Sequence, residues 1–586
     1  MRIQSKALLF LAFILLLPAF AVSSEVKKVH LIVTSDIHAR VFPYDFVSDR
    51  PMQASMAHVH TLVSIARARQ GSNVILLDNG DLIQGTPAGY YANFVQQARQ
   101  NLFSRVLNLM QYDAATVGNH DIEAGPEVYN RLIKEFDFPY LGANVINNET
   151  GKPFFKPYTI IERQGVRIAV LGLTTPAVPT WLPEKLWKGM SFQEIADAAR
   201  HWVQIIEQTE RPDAIVGLFH SGLGVANPDP NQRFLENASL YVAQTVPGFD
   251  VVFIGHDHRE WLKTVQNSKG EEVLLVGPGP FAEKIGVVEL TFFRNSDRSF
   301  VLTNTKAELI PATTIPPSPE FFTQFENDVS EIVAFSNEPA GRLNGELVSN
   351  DAFFGSAPFV DIVHDLQLKI TGADISFTAP LSFNQTIRSG IMRVRDFFNL
   401  YRFENYLYVM ELTGAEILNY LEFSYSLWLN QMAGPEDHLL LFREDGDGRP
   451  LAGPQGRFRL DNPSFNFDSA AGIEYTVDVS KPVGQRININ GMEDGTPFDP
   501  AKTYRVAINS YRGSGGGDHL TAGAGIPHEK LRERIVFTSE KDLRSEMIKY
   551  FREKKEVSAK ARNNWRIIPE SWVEAARERD LKKLLP

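Results

Sequence analysis

Seven short, branched apolar runs punctuate the first half of the chain, and five of them run straight into carboxylate, amide or imidazole residues. Val29–Thr34 leads to Asp36 and His38, and Val74–Leu77 leads to Asp78-Asn79-Gly80-Asp81. Ala114–Val117 leads to Gly118-Asn119-His120-Asp121, Ala214–Phe219 to His220, and Val251–Ile254 to Gly255-His256-Asp257-His258. Ile168–Leu173 and Val273–Val276 complete the set. Runs of this length and composition read as buried strands. Helical patterns between them, such as Ser55–Arg69 and Phe94–Met110, predict α/β architecture. In such sheets the carboxyl ends of the strands line one crevice. Five strand ends therefore deliver oxygen and imidazole donors to a common place.

The donors are Asp36, His38, Asp81, Asn119, His220, His256 and His258. The chain has no cysteine, so no thiolate competes, and the set suits Zn, Mn, Fe, Co or Mg. Two divalent ions about 3.5–4 Å apart need a bridging carboxylate and a few ligands each. Asp81 offers the bridge. Asp36, His38 and His258 serve one ion, and Asn119, His220 and His256 the other. Gly80, Gly118 and Gly255 allow tight turns close to the ions. An isolated Asp-x-His or Asn-Gly-Asp is an ordinary turn. The weight lies in their joint occurrence, each directly after an apolar strand. His58, His60 and His364 sit in helical patterns and read as core or surface residues.

A chain of 586 residues exceeds one hydrophobic core and implies two or three domains. Residues 1–24 read as a secretory leader: Arg2 and Lys6 precede the apolar run Ala7–Ala21, with small residues at Ser23 and Ser24. The run is short for a membrane span. Secretion with no cysteine excludes disulfides and a lipid-anchored cysteine, and fits a bacterial periplasm. A net charge of −11 disfavours binding of long nucleic acid, while metal ions would still allow a small anionic substrate. The first domain is expected over 25–310. A cluster at Pro311, Pro316, Pro317 and Pro319 marks a linker and connecting helix over 311–338, with Phe321, Phe325, Val329 and Ile332 on one face. The second domain is expected over 339–556, with helices at Asp361–Ile370 and Gly414–Leu427 and strands at Glu474–Val479 and Thr503–Asn509. Residues 557–586 read as a tail packed on the surface, ending in an amphipathic helix (Trp572, Ala575, Leu581).

This order of motifs resembles the calcineurin-like metallophosphoesterases and, more closely, the 5′-nucleotidase family. Within that family it is most similar to the bacterial 2′,3′-cyclic-nucleotide 2′-phosphodiesterase/3′-nucleotidase branch. The resemblance runs from Val29 to about Phe551. It implies an αββα sandwich followed by a C-terminal α/β nucleotide-recognition domain. It matches the seven donors to the family's metal ligands, His120 to its catalytic histidine and Glu123 to that histidine's carboxylate partner. Asp121 stands where family members commonly carry Glu. In the second domain, Phe403 of Tyr401-Arg402-Phe403-Glu404-Asn405 and Tyr511 before the run Gly515-Gly516-Gly517 match the aromatic pair that sandwiches the base. Asp518 matches a ribose-binding carboxylate. Typical 5′-nucleotidases carry a Gly-Gly-Gly-Ile-Arg segment that holds the terminal phosphate. Here the stretch Ala379–Arg388 lacks the glycines and displaces the arginine, and no arginine stands near Ser356-Ala357-Pro358.

The resemblance implies a secreted two-metal hydrolase of small nucleotides, with 2′,3′-cyclic phosphodiesters and 3′-monophosphates favoured. A 5′-nucleotidase or nucleotide-sugar pyrophosphohydrolase on the same scaffold, a thiosulfate-ester hydrolase, and a nucleotide-binding protein without catalysis remain alternatives. Metal identity, base preference and oligomeric state are open at the level of sequence.

Overall fold

The computed structural model describes residues 25–585, apart from 231, 233, 296–298, 447, 454 and 455. The expected leader at 1–24 lies outside the described residues.

Two six-stranded sheets build the first domain. In spatial order the first comprises Phe300–Pro311, Lys284–Arg294, Val26–Thr34, Val74–Asp78, Ala114–Thr116 and Tyr140–Leu141. The second comprises Glu260–Gln266, Glu272–Pro278, Val251–Ile254, Ala214–His220, Val166–Thr174 and Tyr158–Arg163. Alternation within each strand splits the apolar side chains between two layers. Val29, Leu31, Val33, Ile75 and Leu77 meet Ile168, Val170, Val216, Leu218 and Phe253 between the sheets. Ile32 and Leu76 face the helices Met56–Gln70 and Leu102–Met110, while Ile215 and Val252 face Ile195–Thr209. The result is the αββα sandwich. Every expected strand is present, because both faces of the central strands are covered. All five donor-bearing strands run parallel to neighbours in their sheets, so their carboxyl ends share one rim.

One expected helix is broken. Within Phe94–Met110, residues Phe94 and Val95 close a π-helical turn over Tyr91–Val95, and the α-helix spans only Leu102–Met110. Asn101 caps that helix by accepting from the Phe103 amide at 2.9 Å, and its own amide group bonds Asn93 at 3.1 Å. Arg99 is drawn out to Asp328 at 2.9 Å.

The helix Pro319–Ser336 begins on the Ser318 cap, with Pro319 at its first turn. Phe321, Phe325 and Ile332 enter the first domain's core, whereas Phe335 joins the second domain's. One helix thus fastens both units. The second domain is built on a five-stranded mixed sheet ordered Ser469–Ala471, Ile375–Thr378, Thr503–Asn509, Tyr406–Thr413 and Ile535–Asp542. Helices Pro358–Thr371 and Gly414–Trp428 accompany it.

The segment expected as a surface tail is instead part of this domain. Trp565–Ile568 pairs in parallel with Ile473–Asp478, and Trp565 is buried. In the terminal helix Glu570–Leu584 the buried face is Val573, Ala576, Asp580 and Leu584, with Ala575 exposed. Asp580 sets that phase: its carboxylate accepts from the Leu439 and Leu440 amides at 2.8 and 3.0 Å.

Candidate metal centre

The strand-end loops gather the seven expected donors at one point. Asp36, His38 and His258 form one group and Asp81, His220 and His256 another, each with ligand atoms within 4.8 Å of one another. Asp81 joins them, since its Oδ2 lies 3.1 Å from His220 Nε2 and 3.9 Å from His38 Nε2. Asn119 Oδ1 lies 3.1 Å from His220 Nε2 and 2.8 Å from His256 Nδ1.

Outer partners fix which ring nitrogen faces inward. Carbonyl oxygens only accept, so His38 Nδ1 donates to Gln84 O at 3.1 Å and His220 Nδ1 donates to Asn79 O at 2.7 Å. His256 Nε2 faces Glu236 Oε1 at 2.7 Å. These contacts leave His38 Nε2, His220 Nε2 and His256 Nδ1 as inward lone pairs, the arrangement of ligating histidines. They converge with Asn119 Oδ1 and with the Asp36 and Asp81 carboxylates, so acceptor faces acceptor. His38 Nε2 and His258 Nε2 stand 2.9 Å apart.

Such a cluster needs positive charge at its middle. Burial holds His38 and His258 below the ordinary imidazole value, which keeps them neutral. Burial opposes a charge on His220 as well, but Asp81 outweighs it and pushes that ring up to about 9. A divalent pair answers the same demand, and the imidazole–carboxylate–amide set fits it.

The local backbone is strained to make this convergence. Asp36, His38, Asp81, His256 and His258 all take positive φ, between 49° and 72°. Such conformations cost about 1–3 kcal/mol each for residues with a Cβ and cluster at functional sites. Gly118 is obligatory: a Cβ there would lie 2.1 Å from Asp81 Oδ1. Asp121, noted in the sequence only as a replacement for Glu, staples the two loops. Its carboxylate accepts from the Gly118, Asp81 and Leu82 amides at 2.8, 3.0 and 3.0 Å.

His120 stands beside the donors without joining them. Its amide donates to Asp81 Oδ1 at 2.8 Å, and its Nδ1 meets Glu123 Oε2 at 2.5 Å. Burial works against charge on this ring, but Asp81 and then Glu123 prevail and push it up to about 10. His120 is thus held at the rim by Asp81 and Glu123.

The second domain closes over this rim. Burial pushes the Glu404 carboxyl up to about 7; Arg544 draws it down, and Glu123 of the first domain pushes it up again. Burial likewise raises the Tyr511 phenol, with Arg512 opposing and Glu236 of the first domain adding to it. Lys185 donates to Ser539 O at 2.9 Å and lies 3.6 Å over the Tyr406 ring. On the opposite flank Arg40 sits 4.0 Å over Phe281, a ring 5.6 Å from both His38 and His258.

Of the expected nucleoside contacts, Phe403 and Tyr511 are half-buried and Asp518 is exposed. Phe403 meets Phe465 edge-to-face at 5.9 Å, and it does not touch Tyr511. Tyr511 lies flat on Gly516, where a Cβ would come within 2.5 Å of the ring. The buried Arg512 ties this turn to the neighbouring loop, donating to Gly516 O at 2.8 Å, Phe465 O at 2.7 Å and Asp468 Oδ2 at 3.1 Å. Asp518 takes φ 61° and accepts from Thr521 Oγ1 at 3.2 Å. In the stretch that lacks the phosphate-binding arginine, Asn384 is engaged by Asn350 at 3.2 Å.

Sequence reasoning missed Glu236, Phe465, Arg40 and the stapling role of Asp121. Glu236 precedes His256 by 20 residues in an irregular loop, which leaves no local signal. The Asp121 role was legible in principle, as a carboxylate three residues after a turn glycine.

Comparison with known proteins agrees with this architecture. Residues 29–260 match the calcineurin-like phosphoesterase model, and residues 333–523 match the 5′-nucleotidase C-terminal domain. A 2′,3′-cyclic-nucleotide 2′-phosphodiesterase/3′-nucleotidase of Yersinia enterocolitica is 27% identical over 95% of this chain and 90% of its own length. The trifunctional nucleotide phosphoesterase protein YfkN of Bacillus subtilis is 28% identical over 97% of this chain, which spans only 41% of that protein. A solved Staphylococcus aureus structure, a complex with alpha-ketoglutarate, superposes with a TM-score of 0.74 at 20% identity, covering 92% of this chain and 100% of that one. Matched in both of its domains and over nearly its whole length, the chain belongs to the 5′-nucleotidase family of calcineurin-like phosphoesterases, which are metal-dependent hydrolases.

Proposed function

We propose that the protein is a secreted, periplasmic two-metal phosphoesterase that opens 2′,3′-cyclic nucleotides and hydrolyses 3′-monophosphates. The observation that carries this reading is the pair of donor groups meeting at Asp81. Relatives named as 2′,3′-cyclic-nucleotide 2′-phosphodiesterase/3′-nucleotidase, 26–27% identical over 94–95% of the chain, support it. Asp36, His38 and His258 would hold one ion and Asn119, His220 and His256 the other, with Asp81 placed to serve both. The imidazole content favours zinc- or iron-like ions over magnesium. When bound, the ions supply Lewis acidity and bring the acidity of water toward neutral pH.

The chain's own residues do the rest. His120, held by Glu123, carries a proton that passes to the departing ribose oxygen or offsets charge on the phosphoryl group. Phe403 and Tyr511 grip the base, and Asp518 accepts from a ribose hydroxyl. Base stacking tolerates every base, so base discrimination is weak. The stretch Ala379–Arg388 supplies amides where 5′-nucleotidases place an arginine. An amide does not neutralise a terminal dianion, and charge-assisted bonds are roughly twice as strong as neutral ones. A cyclic diester carries one negative charge and needs less compensation. The leader-like residues 1–24 support export, and among the described residues no helix is long and apolar enough to cross a membrane.

The test is a panel of 2′,3′-cyclic, 3′- and 5′-nucleotides and UDP-sugars on metal-loaded protein. Higher kcat/KM for 2′,3′-cyclic AMP or 3′-AMP than for 5′-AMP is expected. Faster hydrolysis of 5′-AMP removes the specificity reading and leaves the two-metal site standing. Bound metal with no turnover of any phosphoester removes the enzymatic reading.

A further inference from the structure

Beside the aromatic pair, the second domain holds a cavity that the proposed mononucleotide site uses only at Phe403. Its volume is about 670 Å³, and its walls include Arg402, Phe403, Arg443, Arg457, Arg459 and Phe465. Four arginines thus line one space, against a single lining carboxylate residue, Asp461. This occurs in a chain whose net charge is −11. None of the four arginines makes an ion pair among the described residues. Their backbone is fixed: Arg443 N–H donates to Arg459 O at 2.8 Å, and Gly453 N–H donates to Arg457 O at 2.7 Å. The Phe458 amide between Arg457 and Arg459 donates to Lys583 O of the terminal helix at 2.8 Å. Like charges gathered in a concave, partly apolar space raise the local potential and attract anions. Arginine in particular matches phosphate through paired N–H donors.

The cavity adjoins residues already assigned to the nucleoside. Phe403, assigned to the base, is one of its walls, and Phe465 stands against Phe403. Next to Phe403, Arg402 is close enough to Arg40 for their charges to oppose each other. Arg40 lies over Phe281 beside His38 and His258. Successive neighbours thus link the metal donors, through Phe281, Arg40 and Arg402, to the wall that holds Arg443, Arg457 and Arg459.

We propose that this cavity is a second phosphate subsite, which selects nucleotides carrying a 5′-phosphoryl group in addition to the scissile 2′,3′-cyclic or 3′-phosphate. The inference rests on the proposed reading of the metal centre as a 3′-end phosphoesterase. With the 3′-phosphate at the metal donors and the base on Phe403, the 5′ carbon lies on the far side of the ribose. A phosphoryl group there points toward the arginines. The same chemistry is offered by a nucleoside 3′,5′-bisphosphate and by a short oligonucleotide ending in a 3′-phosphate.

The experiment compares kcat/KM for 3′-AMP, adenosine 3′,5′-bisphosphate and the dinucleotide ApAp on the metal-loaded full chain. It is repeated on Arg443→Gln/Arg457→Gln/Arg459→Gln and on Arg443→Gln alone. At least one of the two 5′-extended substrates should exceed 3′-AMP by about tenfold, as expected for one or two charge-assisted contacts. The triple variant should erase that ratio, the single variant should reduce it, and added salt should shrink it. A gain with the bisphosphate assigns recognition to the phosphate alone; a gain with ApAp only assigns it to the bridging phosphate with its nucleoside. Equal rates for all three substrates, or a gain that survives in both variants, overturn the subsite. Should no 3′-nucleotide be hydrolysed while bis-p-nitrophenyl phosphate is, the catalytic reading fails separately. Equilibrium binding then decides the subsite: adenosine 3′,5′-bisphosphate must bind the wild type about tenfold more tightly than 3′-AMP and lose that margin in the variants. Equal binding overturns it.

Discussion

The metal-side loops and the nucleoside-side loops solve the problem of placing a side chain in opposite ways. On the metal side every donor follows a buried strand, and five of the seven sit at positive φ, locked by carbonyl and carboxylate partners. On the nucleoside side Phe403, Tyr511 and Asp518 stand on loops, half-buried or exposed, braced from below by Arg512 and Arg544. The first arrangement is pre-organised, as electrostatic catalysis requires. The second places its side chains on loops, where fewer contacts fix them. Substitutions on the metal side should therefore destroy turnover, whereas those on the nucleoside side should shift binding.

The sharpest break comes from Asp81→Ala. It removes the carboxylate shared by both donor groups together with the acceptor for the His120 amide. Turnover should fall by more than about 10⁴-fold, beyond what loss of one acid–base group costs, and elemental analysis should show metal lost. Full metal content with normal rates would remove Asp81 from the centre. His120→Ala should lower kcat by about 10²–10⁴-fold while metal content stays at the wild-type level. Metal loss in that variant would make His120 a ligand and cancel its assignment as proton carrier.

The same contrast explains what was legible in the sequence. Central strands buried on both faces are continuous apolar runs, and all seven expected ones are present. Lys284–Arg294 and the edge strand Phe300–Pro311 lack that signal. Their outer residues, such as Glu289, Lys306 and Glu308, dilute the apolar pattern. Donors that directly follow a strand were visible because the strand supplies the context. Glu236 was not, since it reaches His256 across an irregular loop. Phe465 was hidden for a similar reason, being placed by the buried Arg512–Asp468 pair rather than by a local pattern. In the terminal helix Trp572 and Leu581 pack against the core as the pattern expects, whereas Ala575 is exposed and a buried aspartate, Asp580, faces the core where periodicity expects an apolar residue.

Glu236 tests whether these unseen supports matter. Outer partners of ligating histidines typically contribute 10–100-fold to metal affinity or activity. Glu236→Gln keeps the side-chain shape but no longer accepts with a charge at His256 Nε2. It should weaken one of the two ions by about 10–100-fold in a chelator competition and leave the other in place. Simultaneous loss of both ions would mean that Glu236 supports the whole loop rather than one ligand.

The smallest effect belongs to the nucleoside side. Tyr511 rests on Gly516, a position that tolerates no Cβ, so its ring is supported from that side. Removing the ring in Tyr511→Ala takes away a stacking surface worth roughly 1–3 kcal/mol per base. KM should rise about tenfold for every nucleotide. kcat should change little, because the His120–Glu123 pair and the donors lie in the other domain. Bis-p-nitrophenyl phosphate has no nucleoside to stack and should keep its KM. Tyr511→Phe separates ring from hydroxyl: it retains the π-face and loses only the group that feels Glu236. If the phenylalanine variant behaves like wild type, the face carries the recognition. If it behaves like alanine, the hydroxyl does, through the neighbourhood of Glu236 and His256. The recognition loop would then belong partly to the metal centre, and the division between rigid chemistry and adjustable binding would fail at that residue.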